Sequence, residues 1–192
     1  MLSIRTIMRP LVILLLPTLL SSCAVHYNGV HMTTNGQPRM QGMTPQLQWK
    51  INELTRLLMS MGPGVDPREA ADVAHDAYIY PLQLANEWGL VWPPLYHNRL
   101  RNAHKRPLGL CYDWAIAMRA HMRKKNLRTI DLYWGIANKG QHDEHSSLVV
   151  TARGMPFESG VVLDPWRDSG KLYVTRPNTD RPYPWRYYQG PG

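Results

Sequence analysis

The first half of the chain repeats apolar residues at helical spacing, and the second half repeats them at strand spacing. Leu47, Ile51, Leu54, Leu58 and Met61 are separated by steps of four and three, one face of a helix. Thr44-Pro45 supplies its cap and first residue, and Gly62-Pro63-Gly64 ends it. Asp66-Pro67-Arg68-Glu69 opens a second helix, with Glu69 placed to reach back as in a capping box. Its inner face is small: Ala70, Val73, Ala74, Ala77 and Tyr78. Pro81 is expected to kink or end it, with a separate short helix over 82–88. Another short helix follows Trp92-Pro93-Pro94, and a longer one runs from Cys111 to about Lys125 on Ala115, Met118 and Met122. The period then shortens. Strands are expected at 130–137, 146–152, 161–163 and 172–174, with Gly140, Gly154 and Gly160 between them. Helices gathered before an antiparallel meander make an α+β domain over 44–192, with an irregular tail from about 176 packed through Trp185.

The N-terminus changes the picture. Arg5 and Arg9 precede the apolar run Leu11 to Leu20, too short to span a bilayer. It ends in Leu20-Ser21-Ser22-Cys23, which resembles the bacterial lipobox. The expectation is a signal segment over 1–22, an acylated Cys23 and a flexible tether over 23–43. Ala24, rather than Asp, after the cysteine resembles the pattern of outer-membrane lipoproteins, so the chain is expected in the cell envelope, facing the periplasm.

Charge and cysteines matter in that setting. The formal charge is +8, and losing Arg5 and Arg9 leaves about +6. Beside a membrane, such a balance suits anionic lipid or cell-wall polymer, and nucleic acid is excluded as a partner. With Cys23 carrying lipid, Cys111 is the only thiol left. A lone thiol in an oxidising compartment is buried or used.

The residues around it point to use. Cys111 starts a helix, where unpaired N–H groups and the helix dipole favour thiolate. His145 lies 34 residues on and Asp164 a further 19, on strands that share an edge when paired antiparallel. A thiol nucleophile needs such a base, a carboxylate to orient it and donors for the oxyanion. Asn98, Asn102 and Trp92 are candidates for the second donor, with Asn98 favoured. Asp113 reads as a first-turn dipole partner, and Trp114, Trp134 and Trp166 as packing around the site. His142-Asp143-Glu144-His145 has no HExxH spacing, so neither metal nor cofactor is expected.

Three blocks carry a family resemblance: Gly109-Leu110-Cys111-Tyr112-Asp113-Trp114-Ala115, Glu144-His145-Ser146-Ser147-Leu148-Val149-Val150 and Val162-Leu163-Asp164-Pro165-Trp166. Together, over roughly 90–170, they resemble the motifs of the transglutaminase-like superfamily. The resemblance implies a papain-like core, with Cys111 as nucleophile, His145 as general base and acid, and Asp164 as orienting carboxylate. Ser146-Ser147 stand where many members carry an aromatic residue. The implied activity is that of a thiol amidase, peptidase or acyltransferase on a protein or peptidoglycan peptide. Two alternatives are an inactive envelope module that keeps the fold for binding, and an acyl carrier exchange enzyme of the arylamine acetyltransferase kind.

Overall fold

Among the described residues, four helices precede and cover a five-stranded antiparallel sheet. The computed structural model describes residues 23–189, so the expected signal segment over 1–22 lies outside the described residues. Helix α1 (Pro45–Met59) is capped by the Thr44 hydroxyl, which accepts from Leu47 N–H, and buries Ile51, Leu54 and Leu58. Helix α2 (Pro67–Glu87) is capped by Asp66, and α3 (Pro94–Asn102) and α4 (Cys111–Arg123) follow. Among the described residues, no helix is long and apolar enough to cross a membrane.

Two expectations for α2 are corrected. Pro81 does not end it; the helix continues for 21 residues to Glu87 and absorbs the expected short helix. The ring removes one backbone donor, but residues buried on both sides of it, Ala77, Ile79, Leu82 and Leu84, hold the chain helical. Glu69 does not close a capping box. Its carboxylate accepts from Arg128 N–H at 2.7 Å, and from the N–H and hydroxyl of Thr129 at 2.8 and 2.6 Å. These bonds tie the start of α2 to the start of the sheet and hold the carboxyl below its usual range against the opposing effect of burial.

The sheet runs β5 (Ile130–Ala137), β6 (His145–Ala152), β7 (Val161–Asp168) and β8 (Lys171–Thr175) as a meander, and β9 (Arg186–Tyr188) returns to pair with β5. The strand period of two splits each strand between two faces. Ile130, Leu148, Val150, Val161 and Leu163 face the helices and pack with Met118 and Met122 of α4. Ala137, Val149 and Val162 face the other way, beneath Phe157 and Trp185. His145 and Asp164 share that second face by parity. The tail is therefore less irregular than expected, because Trp185 covers the sheet and the next three residues join it. A Cβ at Gly135 would lie 3.1 Å from the Trp185 ring and 2.8 Å from Val149, so the bare glycine lets the indole lie against the sheet.

The segment 23–43 is not a flexible tether in the structure. Strand β1 (Cys23–Ala24) pairs with β4 (Val91–Trp92), and β2 (Val30–Met32) pairs with β3 (Pro38–Met40). Val25 and Tyr27 pack on a small core of Leu84, Ala85, Trp88, Leu90 and Trp114. Tyr27 N–H donates to Asn86 Oδ1, and Asn86 Nδ2 donates back to Tyr27 O, each at 2.8 Å. The polar composition of the segment concealed these few long-range attachments.

Candidate active site

Cys111 sits at the first position of α4 because the residues before it are clamped. Gly109 has a φ of +124°, and a Cβ there would lie 2.3 Å from His97 Nε2. His97 is fully buried; it donates Nε2–H to Leu108 O at 2.9 Å and accepts Val91 N–H on Nδ1 at 3.4 Å. Burial pushes its pKa down, so it is a neutral strut. Asp113, expected as a dipole partner, does more. Its Oδ2 accepts from Gly109 N–H at 3.0 Å and Leu110 N–H at 2.9 Å, closing the turn into α4. The Cys111 N–H, in the first turn, has no intrahelical acceptor.

Residues 144 and 145 meet this helix start. Cys111 Sγ lies 3.8 Å from Glu144 O and is half-buried rather than sealed. His145 is hydrogen-bonded through Nε2 to Asp164 Oδ2 at 2.6 Å, with both side chains 1% exposed. That leaves Nδ1 unengaged by the carboxylate, on a ring whose charge the nearby Cys111 also supports. Burial opposes a charge on the ring, but the bond to Asp164 and the nearness of Cys111 outweigh it and the imidazole is pushed up to about 9. Trp166, Tyr183 and Trp185 surround the ring at centroid distances of 4.8, 4.5 and 5.3 Å. Their planes are tilted by 45° to 52° from the imidazole, and they crowd it against water. The three residues singled out in sequence thus lie together, in the order sulfur, imidazole, carboxylate.

The carboxylate is itself fixed. Asp164 Oδ1 accepts Trp166 N–H at 3.1 Å, and Oδ2 also accepts Arg167 Nε–H at 2.7 Å. The Arg167 guanidinium forks onto Asp180, which in turn accepts the Trp185 indole N–H at 2.8 Å. It lies between Tyr173 and Tyr183, 4.3 and 4.6 Å from the ring centroids. Sequence reasoning missed Arg167, Asp180 and Tyr183. Arg167, three residues after Asp164, was the one local signal; Asp180 and Tyr183 arrive by the fold of the tail.

A cleft of about 520 Å³ opens over the sulfur. Pro93, Pro94, Leu95 and Asn98 form one wall, and His142 to His145, Trp166, Arg167 and Tyr183 form the other. Asn98 reaches it, and its amide has a defined direction. The Trp166 indole N–H, a donor only, is 3.2 Å from Asn98 Oδ1, so the amide oxygen is occupied and the NH₂ remains a donor. Asn102 is exposed at the end of α3, and Trp92 is exposed outside the cleft wall. Trp114 and Trp134 are buried away from the cleft, with Trp134 Nε1–H bonded to Ser146 Oγ at 3.2 Å. Ser147 Oγ donates to Leu163 O at 2.8 Å, so both serines after His145 serve the sheet.

No protein-family model, curated protein or solved structure gives a significant match to the chain. The chemistry therefore rests on the geometry of the site itself.

Proposed function

We propose that this protein is a lipid-anchored thiol enzyme of the cell envelope, outer membrane and periplasm-facing, that hydrolyses or transfers an amide through Cys111, His145 and Asp164. The reading carries the transglutaminase-like, papain-like arrangement that the sequence blocks resemble. One observation supports it above the rest: His145 is bound to Asp164 at 2.6 Å through Nε2 and lines the same cleft as Cys111, whose sulfur lies 3.8 Å from the carbonyl oxygen of Glu144, the residue before His145. The substrate class is a peptide amide, of a protein or of a peptidoglycan stem.

The steps follow from the donors and acceptors present. Cys111 thiolate attacks the carbonyl carbon, and the oxyanion takes hydrogen bonds from Cys111 N–H and the Asn98 NH₂. His145 gives its Nδ1 proton to the departing amine, while Asp164 keeps Nε2–H in place and holds the tautomer. A thioester remains on Cys111. Water, or a second amine, then gives a proton to His145 and attacks the thioester carbon, releasing the acyl group and restoring the Cys111 thiolate beside protonated His145. Arg167 keeps the Asp164 carboxylate aimed at the imidazole.

A half-buried sulfur sharing a cleft with a buried His145–Asp164 pair favours an enzyme over an inactive binding module. Iodoacetamide labelling of the folded chain at neutral pH tests this. Cys111 is expected to react faster than in the denatured chain; labelling no faster than in that control counts against an activated thiol.

A further inference from the structure

The N-terminal segment, expected to be slack, is short-leashed. Cys23–Ala24 pairs antiparallel with Trp92–Val91, and Val25 N–H donates to Leu90 O at 2.8 Å. Paired backbones lie about 5 Å apart. Chains on an acylated Cys23 therefore begin beside Trp92, with no free residues to carry the domain away from the bilayer. Trp92 is 55% exposed and Leu95 67% exposed, unusually open for such large apolar side chains. Tyr96 and Leu108 extend the apolar surface, Arg99 follows Leu95 by one helical turn, and Lys105 lies in the loop with Leu108.

We propose that this face, Trp92, Leu95, Tyr96 and Leu108 with Arg99 and Lys105, docks on anionic phospholipid. The proposal rests on the reading of Cys23 as the lipid-bearing residue. Aromatic rings and basic side chains are the groups that settle at a bilayer's headgroup level. Pro93, Pro94 and Leu95 also wall the catalytic cleft, so docking opens the cleft at that level. The substrate amide is then one held within reach of the membrane surface, on a membrane-attached chain or on polymer lying against it.

The test uses the full chain, processed in cells, and added to vesicles of phosphatidylethanolamine and phosphatidylglycerol with and without brominated acyl chains. Intact mass first reports acylation at Cys23. Brominated lipid is expected to quench tryptophan fluorescence of the bound chain. Most of that quenching is lost in Trp92→Phe and kept in Trp49→Phe, whose side chain is equally exposed but on α1. An acylated, vesicle-bound chain that is not quenched, or whose quenching survives Trp92→Phe, overturns docking while leaving the anchor intact. A chain without acyl groups on Cys23 removes the anchor, and docking with it. Shielding of Trp92 from aqueous iodide by a soluble peptide substrate and not by vesicles assigns the face to substrate and overturns the proposal.

Discussion

Two residues carry sharp expectations. His145 is held charged up to about pH 9 by its bond to Asp164 and by nearby Cys111, despite its burial. In the proposed mechanism the step that needs its proton is amine departure, so the alkaline limb of kcat/KM is expected near that pH. In Asp164→Asn the supporting charge is gone. The limb then moves down toward the ordinary histidine value of 6.5, and kcat falls by about 10⁴-fold as the tautomer is lost. A pH–rate profile of both proteins checks this. Asn98, with its oxygen tied to Trp166, is the proposed second oxyanion donor. Asn98→Ala is expected to lower kcat by about 10²- to 10³-fold with little change in KM, measured at saturating and limiting substrate. At this scale the sequence was informative where one residue type has few uses. A lone cysteine at a helix start, a histidine opening one strand and an aspartate on the next were all legible. The direction of the Asn98 amide was not, because it depends on an indole 68 positions away.

Among the elements, α2 and α4 meet at a buried carboxylate. Asp76, 1% exposed, accepts from His121 Nε2 at 2.7 Å, His75 Nδ1 at 2.9 Å and Lys125 Nζ at 2.6 Å. Burial works against its charge, but these donors hold the carboxyl far below its unfolded value of 3.8. The stability it contributes is present above that pH and is lost as the pH falls below it. Asp76→Asn leaves two or three cationic or donor groups facing a neutral amide, and is expected to cost about 3–5 kcal/mol in urea unfolding at neutral pH. The difference from wild type is expected to shrink below about pH 4. Helix α4 carries Cys111 at its start, so loosening this junction also loosens the nucleophile. Elements with long, regular periodicity were legible: α1, α4, β5, β6 and β8 lie within two residues of their expected bounds, whereas β7 starts at Val161 as expected but runs five residues past Leu163 to Asp168. The departures share a cause. Pro81, the 23–43 segment and β9 are governed by contacts distant in sequence, which local propensity does not contain.

For the whole molecule, the α+β layout follows from the order of the patterns, helices first and a meander after. What the order does not contain is that the tail crosses the sheet face bearing His145 and Asp164. That crossing brings Asp180, Tyr183 and Trp185 to the candidate site, and makes the edge that bears it a product of both ends of the domain. The N-terminal strand beside α3 sets the same edge toward the expected anchor. All of this has meaning only if Cys111 forms acyl bonds. Mass spectrometry of the Cys111 peptide after exposure of the full chain to envelope extracts asks that question directly. An acyl adduct on Cys111 in the wild type, absent in His145→Ala, is the predicted result. No adduct in either protein, or equal adducts in both, contradicts the account.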